Sequence, residues 1–497
     1  MVTMRLHKFI LFFVLFPALH FMAEGQSMYG LVLDNYAGVN SVQLNPSAMR
    51  NSKTWLDIQF VGVGGFLQNN YLYQQKSDYK FSHFFQSGYE WPTHYEGYGS
   101  EVRIFEHYGT MKPKSAYSDT RVNGPGAMLI WGKHAFAITS AIRNIISAHQ
   151  MPYELANFIY LGLNYRPQQK INYQDNRPFS VAQMAWAEVG LSYAYEVYGG
   201  GFSRIDAGLS VKRLFGYTGT YAAVDNINYT VIDDSTLQIN NLKAEMGLSW
   251  PIDYSSDQVS GATAFRGGGW GVDLGVTYTR LIKPHQNEYF TRLCAQHYED
   301  YLYRLGVSLI DVGGIRFNTN AQKLSVDNRS SYWESLTRIK FRSIDHILDT
   351  ISYKFYGDTN SARVADKFTL WLPSALSVQF DYHLTKFTYV NASFIFPVSF
   401  AKASVSRPAE LTITPRYESG WLEVSLPVSL YDWYLPRVGL AVRAYGFTIG
   451  CDKLGGFFNF SDFTGLDVYF SIKYFLGKGS CHKRDKGRCG NLEFGPN

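Results

Sequence analysis

The feature that most constrains this chain is a strict alternation of apolar and polar residues, repeated at the spacing of β-hairpins. Between residues 183 and 196, apolar side chains occupy every second position at Val189, Leu191, Tyr193 and Tyr195. After a turn at 198–201, residues 204–212 run back with the same period, at Ile205, Ala207, Leu209 and Val211. A period of two is that of a β-strand with one apolar face. The sequence therefore predicts antiparallel strands that all need an apolar neighbour on one side.

The same period returns in later segments, at residues 271–280, 304–309, 375–383, 390–396, 410–428 and 466–474. Short turns are predicted at 132–134, 199–202, 384–386 and 418–420, and longer connections at about 71–120, 148–180, 219–236, 252–268 and 327–366. Residues 332–355 carry apolar positions near helical spacing, which predicts a surface helix in the last connection. Alternating strands joined by short turns and long loops are typical of a closed barrel.

Composition separates a membrane barrel from soluble β-folds and from helical membrane proteins. Tyr (37) and Phe (35) are abundant, charged residues are only 18%, and the mean hydropathy is −0.17. After residue 25 there is no apolar run of about 20 residues, the length that a membrane helix needs. A soluble sandwich has little room for so many tyrosines, and a propeller shows a blade repeat that this chain lacks. We therefore predict an all-β fold, an antiparallel transmembrane β-barrel of about 14 to 16 strands with long extracellular loops.

Residues 1–25 have the three parts of a secretory signal peptide. Arg5 and Lys8 form a positive region, a short apolar region follows, and Ala23 and Gly25 are the small residues of a cleavage site. An N-terminal anchor helix is the alternative, but the apolar run is too short to span roughly 30 Å of hydrocarbon. Export of a barrel predicts the cell outer membrane as its location and outer-membrane lipid as its surroundings.

On the face opposite the apolar residues, the predicted strands carry charged side chains that point into the lumen. Seven are acidic and six are basic: Glu188, Arg204, Asp206, Lys212, Asp273, Arg304, Asp381, Glu410, Arg416, Glu423, Arg443, Asp467 and Lys473. One interpretation is a polar pathway that selects a solute. The other, which the near balance of signs favours, is a salt-bridged plug, because charges in a poorly hydrated lumen must pair.

The segment after the signal contains the motif Asn45-Pro46-Ser-Ala48. It resembles the start of barrels of the long-chain fatty-acid transporter family, which carry an Asn-Pro-Ala-like motif that Ser47 interrupts here. Short motifs at 371–375, 415–418, 425–427 and 446–450 are similar to those of an uncharacterised Bacteroidota outer-membrane β-barrel family, related in style to the fatty-acid transporters and to the type 9 secretion barrel proteins. The resemblance implies that the segment folds into the lumen as a hatch. Asn45 and Pro46 then either gate a channel or form a fixed turn that seats the hatch.

The chain is thus divided into a signal peptide (1–25), an N-terminal hatch segment (26–50), a barrel (51–477) and a basic periplasmic tail (478–497). Cys481 and Cys489 lie close together in the tail. In the oxidising periplasm they are predicted to form a disulfide, because closing so short a loop costs little entropy. Metal binding together with His482 is the alternative.

Catalytic and nucleic-acid-binding signatures are missing from the sequence. It has no Gly-x-Ser-x-Gly, no His-Glu-x-x-His and no phosphate-binding glycine loop, and its 12 histidines are scattered without metal-site spacing. The net charge of +5 is small, and no basic stripe carries interleaved aromatics, so neither nucleic acid nor a cofactor is expected. The sequence predicts a porin-like channel or transporter for a small, hydrophobic solute. The alternative is a docking or scaffold barrel for protein partners of a secretion, adhesion or motility complex, and an outer-membrane enzyme is disfavoured.

Overall fold

The computed structural model describes residues 28–479, apart from residues 81, 84, 85, 87, 95–101, 259–263, 287–291 and 340. The strands of this part of the chain are β1 (Thr54–Asn69), β2 (Leu72–Tyr73), β3 (Glu106–His107), β4 (Lys114–Asn123), β5 (Gly126–Trp131), β6 (His134–Met151), β7 (Asn172–Asp175), β8 (Phe179–Gly200), β9 (Ser203–Val231), β10 (Leu237–Ser249), β11 (Gly267–Leu281), β12 (Tyr301–Phe317), β13 (Ala321–Trp333), β14 (Arg363–Ala365), β15 (Phe368–Trp371), β16 (Ala375–Thr385), β17 (Thr388–Pro397), β18 (Glu410–Glu418), β19 (Leu422–Ser425), β20 (Val428–Tyr431), β21 (Leu435–Val438), β22 (Leu440–Ala444), β23 (Phe447–Cys451) and β24 (Gly465–Gly477).

The described helices are short. They are α1 (Tyr29–Val32), α2 (Tyr153–Leu161), α3 (Ile344–Tyr356) and α4 (Leu454–Phe457), with 3₁₀ helices at Gly38–Gln43, Pro46–Asn51, Arg166–Gln168, Leu293–Ala295 and Leu336–Arg338. Among the described residues, no helix has the length and apolar character needed to cross a membrane.

Fourteen antiparallel strands close into a barrel, because β24 pairs with β1 through the register Ile58↔Tyr474. Four of the fourteen are interrupted and consist of β4 with β5, β15 with β16, β19 with β20 and β21 with β22. Pro125, Pro373 and Pro427 stand at three of these interruptions, where proline has no N–H to donate to the sheet. The predicted antiparallel barrel is confirmed at fourteen strands.

The predicted alternation appears as an exposed outer face and a buried inner face on each barrel strand. On β8, Leu191 is 64% exposed, whereas its neighbour Ser192 is 6% exposed. On β9, Leu209 is 41% exposed and Ser210 is 2% exposed. Large apolar side chains therefore cover the outside of the barrel, and polar side chains occupy much of its interior.

The two ends of the barrel differ in their connections. At one end, which we call the inner end, tight turns at 132–133, 201–202, 386–387 and 419–421 join neighbouring strands. The opposite, outer end carries the long connections, including α2 and α3. Residues 282–300 are the exception, since this longer loop lies at the inner end between β11 and β12.

A second sheet rises from the outer end of the barrel wall. Strand β9 has 29 residues, whereas a membrane strand needs about 9–11. Its outer half pairs with β7 and β10, and β10 in turn pairs with β13, which pairs with β14. Helices α2 and α3 pack on one face of this outer sheet through Phe158, Leu348 and their apolar neighbours.

Two predictions about this region need correction. The loop predicted at 219–236 is mostly strand, because β9 continues to Val231 before it turns into β10. Register shifts at Asp225 and Asn240 move side chains to the opposite face and so break the period of two in the sequence. The helix predicted within 332–355 begins only at Ile344, because Tyr332 and Trp333 belong to β13.

Candidate functional site

Residues 28–52, which we call the inner plug, lie inside the inner half of the barrel. They form α1 and two 3₁₀ helices, and Tyr29, Leu31 and Met49 are at most 1% exposed. Apolar side chains of the plug pack against buried wall residues that include Met128, Ile130, Ala135, Ile310 and Ile395. A barrel of fourteen strands has an interior too wide for its own side chains to fill. The inner plug occupies that space.

Asn45 and Pro46 form the start of the second 3₁₀ helix of the plug. The Asn45 Oδ1 atom accepts hydrogen bonds from the Ser47 backbone N–H (3.0 Å) and the Ser47 hydroxyl (2.6 Å). Its Nδ2 atom donates across to the wall, to Gln379 Oε1 at 3.0 Å and Thr277 Oγ1 at 3.4 Å. One side chain therefore fixes the turn and attaches it to two different strands.

Three glycine residues form the part of the barrel wall that faces this turn. Gly208, Gly275 and Gly306 lie on the neighbouring strands β9, β11 and β12, and Gly275 pairs directly with Gly208. We call these three residues the glycine seat. A Cβ atom at Gly275 would collide with Asn45 Oδ1, and one at Gly208 would collide with the backbone of Ser47. Glycine is needed here because the turn approaches the strand backbones closely.

All thirteen charged residues predicted in the lumen lie on the buried face of the wall, and none is more than 9% exposed. Four ion pairs form within this set: Arg204–Asp206 (3.1 Å), Lys212–Asp273 (2.7 Å), Arg416–Asp381 (2.8 Å) and Arg443–Glu423 (3.4 Å). Others pair with residues outside the set, as Glu410 with Arg437, Lys473 with Asp57 and Glu188 with Arg143. The side chain of Asp467 is also buried, with 2% of the residue exposed. Arg304 donates a hydrogen bond to Asn35 of the inner plug.

Several of these charges hold the inner plug against the wall. Arg304 Nη1 donates to Asn35 Oδ1 at 2.6 Å, and Lys473 Nζ donates to the carbonyl oxygens of Tyr36 and Ala37. The Tyr29 hydroxyl donates to Glu410 Oε2 at 2.8 Å. Hydrogen bonds to buried charges are stronger than those between neutral groups. The interior is thus a network of paired charges in which plug and wall share partners.

The prediction from sequence missed important members of this network. Asp311 accepts from both Arg143 (3.0 Å) and Lys212 (2.8 Å), and Arg143 also stacks over the Trp186 ring at 4.7 Å. Asp311 has a φ of 55° at a register shift of β12, which breaks the alternation that would have marked it. The turn predicted at 418–420 includes Glu418, yet the Glu418 carboxylate accepts hydrogen bonds from the Asn35 side chain. Arg143 could have been singled out from the sequence because it is the single arginine in the largely apolar strand β6.

Two buried groups just beyond β23 complete the outer edge of the network. Asp452 accepts hydrogen bonds from the Tyr29 backbone N–H (3.3 Å) and the Tyr469 hydroxyl (3.0 Å), and burial raises the pKa of this carboxyl to about 6. Lys453 donates to Gln68 and Thr464, both neutral, and burial lowers the pKa of its ammonium to about 7.

The outer half of the interior is apolar instead. The residues, which we call the outer apolar cluster, come from strands around the barrel and from one loop: Phe66, Tyr117, Ile145, Ala182, Met184, Trp186, Leu214, Tyr221, Ala223, Ile315, Phe317, Ala321, Phe368, Leu370, Leu372, Val405 and Tyr431. Trp186, Ile315 and Phe317 are fully buried. An apolar compartment thus lies outward of the charged network.

The loop at residues 398–409 folds over this cluster from the outer end. Val405 is 1% exposed, and its backbone N–H donates to the Trp371 carbonyl at 3.1 Å. The Trp371 N–H donates to the Ala403 carbonyl at 3.0 Å. On the exposed side of the loop, Lys402 forms an ion pair with Asp225 at 2.7 Å. The loop therefore caps the apolar half as the inner plug fills the charged half.

Cavities inside the described part of the barrel are small where plug and wall meet. One of about 70 Å³ lies beside Asn45 and Gln379, and one of about 30 Å³ lies between Val42 and Glu188. A larger cavity of about 430 Å³ opens at the inner end and is lined mainly by charged groups, among them Arg50, Glu196, Arg204, His285, Glu299 and Lys478. The inner plug thus leaves only small cavities where it meets the wall beside Asn45 and Val42.

The signal peptide and the predicted Cys481–Cys489 disulfide lie outside the described residues. Cys294, in the loop at the inner end, is disulfide-bonded. A partner for Cys294 from the tail competes with the predicted pair, and peptide mapping of the non-reduced protein separates the two pairings. Among the described residues, no group of His, Cys, Asp and Glu is arranged to hold a metal ion.

Fold and interior together define the class of this protein, a β-barrel whose lumen is filled by its own N-terminal segment. The chain belongs to a family of unknown function, DUF5723, whose model matches residues 46–452. A comparison with curated protein sequences finds no match.

Among solved structures, the chain is similar to a deltaS2S3 mutant of the TodX monoaromatic hydrocarbon channel, with a TM-score of 0.41, 9% identity and coverage of 92% of this chain and 99% of that chain. For the toluene transporter TbuX of Ralstonia pickettii, the TM-score is 0.39 and the identity 9%, with coverage of 89% of this chain and 94% of that chain. For a FadL homologue of Pseudomonas aeruginosa, the TM-score is 0.39 and the identity 9%, with coverage of 92% of this chain and 99% of that chain. Similarity at this level does not assign a function.

Proposed function

We propose that this chain is an outer-membrane channel that passes a small, hydrophobic solute, with the inner plug as its movable gate. The observation that carries the proposal is the apolar lining of the outer half of the interior. A barrel that conducts ions or sugars has a polar, water-filled lumen. An apolar compartment excludes such solutes and offers a hydrophobic one the burial of its surface, at about 25 cal/mol per Å².

The contacts of the loop at 398–409 support entry from the outer end. Its ion pair, Lys402–Asp225, is exposed, with the Lys402 side chain 67% accessible. An exposed pair of this kind contributes only about 0–1 kcal/mol. The buried part of the loop contains the apolar Val405 and also Arg407, which is 8% exposed. A hydrophobic solute therefore replaces the contacts of Val405 with contacts of the same kind, and movement of the loop requires its two backbone hydrogen bonds to Trp371 to open.

The outer membrane as the location is supported by the outer surface of the barrel. Exposed apolar side chains form its belt, and aromatic residues such as Trp131, Tyr195 and Tyr417 lie near the tight turns, as in interfacial girdles. Outer-membrane lipid covers such a surface. The signal peptide predicted at residues 1–25 supplies the route of export.

Uptake by intact cells tests the proposal. Cells of a Gram-negative strain that lacks other hydrophobic-solute channels are given the full-length chain, and entry of labelled toluene, oleate and maltose is followed. We expect faster entry of a hydrophobic solute and no change for maltose. Phe317→Asp, which places a charge in the outer apolar cluster, should abolish the gain. Faster entry of maltose alone, or no change for any solute with the barrel in the membrane, would contradict the proposal.

The alternative, a docking or scaffold barrel, is supported by one observation. The cavities between plug and wall, at about 70 and 30 Å³, are too small for most solutes without movement. A barrel that never opens would retain a rigid plug and present its outer sheet to a protein partner. Stable recovery of a protein partner by cross-linking at the outer sheet, together with unchanged uptake of all three solutes, favours this function.

A further inference from the structure

One face of the outer sheet is continuous with the interior of the barrel. Tyr221 and Ala223 of β9 belong to the outer apolar cluster. At Asp225 the strand has an extra residue, since Val224 pairs with Ala244 and Asn226 already pairs with Lys243. The bulge keeps Asn226 on the face of Tyr221 and Ala223. The face of β9 that lines the lumen therefore continues beyond the barrel as the face at the outer mouth.

The continuing face is rich in side-chain amides. We call it the amide face and define it by Asn172, Asn226, Asn228, Gln238, Asn240 and Asn241. These residues come from β7, β9 and β10. Two charged residues share the face, Lys243 opposite Asn226 and Glu245 opposite Ala223, and they form ion pairs with Asp327 at 3.6 Å and Lys323 at 2.9 Å. Helices α2 and α3 pack on the opposite face of the sheet. Asn172, Gln238 and Asn240 are exposed.

The amides order one another by hydrogen bonds. Asn240 Nδ2 donates to Asn172 Oδ1 and to Asn228 Oδ1, both at 3.0 Å. Gln238 Nε2 donates to Asn240 Oδ1 at 2.9 Å, and Asn241 Nδ2 donates to Asn226 Oδ1 at 3.2 Å. Amides that are held in this way lose little side-chain freedom when a ligand binds. Each amide has two donors and two acceptor lone pairs, so both kinds of bond remain available to a ligand.

An aromatic ring extends the face by one strand. Tyr332 of β13 is 52% exposed and stands opposite Gln238 in the sheet register. Gln238 in turn stands opposite Thr230, and Thr230 opposite Asn172. The row crosses four strands, about 14 Å from first to last at the usual strand spacing. It combines a ring face with neutral donors and acceptors.

From this combination we propose that the amide face binds a neutral glycan chain that lies across the strands at the outer mouth. Sugar hydroxyl groups both donate and accept hydrogen bonds, as the amides do, and the apolar side of a sugar ring stacks on a tyrosine. Lys243 and Glu245 on this face are already paired with Asp327 and Lys323, so a polyanion or polycation gains little there, and an apolar peptide would leave the amides without partners. This binding function is additional to solute passage and does not depend on it.

Binding is tested with the full-length protein in detergent by affinity electrophoresis. The probes are three neutral polysaccharides, dextran, laminarin and xyloglucan, and two charged ones, heparin and polygalacturonate. We expect at least one neutral polysaccharide to retard the protein, with the retardation unchanged in 0.5 M salt, because salt screens contacts between charges and not contacts between uncharged groups. Retardation by the charged polymers alone, lost in salt, would overturn the proposal, and so would no retardation at all.

Variants locate the binding. Asn240→Ala and Tyr332→Ala should each weaken the affinity about two- to tenfold, the range expected for the loss of one or two neutral contacts. Asn360→Ala removes an exposed amide beyond α3 and serves as the matched control. All variants are first compared in thermal unfolding, so that a loss of binding is read only from folded protein. Equal affinity of Asn240→Ala, Tyr332→Ala and the control would exclude the amide face.

Discussion

The two halves of the barrel interior are filled by different kinds of interaction. The inner half contains the inner plug, and its contacts are ion pairs and hydrogen bonds between buried groups such as Arg304 and Asn35. The outer half contains the outer apolar cluster, with Trp186 and Phe317 at its centre and Val405 above. Directional contacts dominate the inner half, whereas the outer half is packed mainly by apolar side chains, with Trp186 Nε1 also donating to Glu188 at 2.8 Å.

For the proposed channel, the difference assigns solute selection to one half and opening to the other. Apolar packing has no directional requirement, so a hydrophobic solute replaces a side chain in the outer cluster at little cost. The contacts of the inner plug must break together, because separating one buried charge from its partner is strongly unfavourable. We infer that the outer half selects and the inner half controls passage.

The largest effect is expected from breaking an ion pair of the inner half. Arg416 donates to both carboxylate oxygens of Asp381 at 2.8 Å, and its Nε lies 3.3 Å from Glu418. Arg416→Met should destabilise the barrel by about 3–5 kcal/mol, because Asp381 is left buried without its partner. Thermal unfolding in detergent measures the loss. The double variant with Asp381→Leu should recover part of it, and equal stability of Arg416→Met and the wild type would show that the pair is not buried in solution.

The outer half should respond differently to an equally severe change. Phe317→Ala is expected to cost about 3–5 kcal/mol, because it leaves a cavity in the outer apolar cluster. A dry apolar cavity binds small aromatic molecules, so added toluene should restore part of the unfolding temperature. Arg416→Met is the control and should gain nothing specific from toluene. If toluene stabilises both variants alike or neither, the two halves do not differ as described.

A smaller effect is expected at the glycine seat. Gly275→Ala places a methyl group against Asn45 Oδ1, and overpacking of this kind costs about 1–3 kcal/mol. On the same strand, a Cβ atom at Gly271 would lie 3.2 Å from the flexible Leu372 side chain, which makes Gly271→Ala the matched control. We expect Gly275→Ala to loosen the inner plug and speed hydrophobic uptake. Identical stability and uptake in the two variants would show that the glycine seat does not position the inner plug.

The sequence predicted the barrel because lipid-type and lumen-type residues alternate on most strands. The same alternation marked residues such as Asp206 and Lys473 as inward-facing, and both are buried. It failed where the period changes. Asp311 lies at a register shift in β12, and the outer sheet contains register shifts at Asp225 and Asn240. A bulge adds one residue and exchanges the two faces, so a pattern of period two cannot follow the strand through it.

The inner plug was predicted as a segment but not in its contacts. Asn45 stood out by its motif, whereas its partners Gln379 and Thr277 lie more than 200 residues away in the chain. The glycine seat was visible only as three separate strand glycines. Their meaning depends on the register of β9, β11 and β12, which sets them side by side. Long-range register of this kind is not encoded in local patterns.

The claim that solute passage requires movement of the inner plug is tested most directly by locking the plug to the wall. The Ser47 and Thr277 hydroxyl oxygens lie 2.7 Å apart, one on the plug and one on β11. The double variant Ser47→Cys/Thr277→Cys should form a disulfide under oxidising conditions. We expect hydrophobic uptake to stop in the oxidised variant and to return on reduction, while each single variant and the wild type respond little to the same treatment. Wild-type uptake through the locked barrel would contradict the gate.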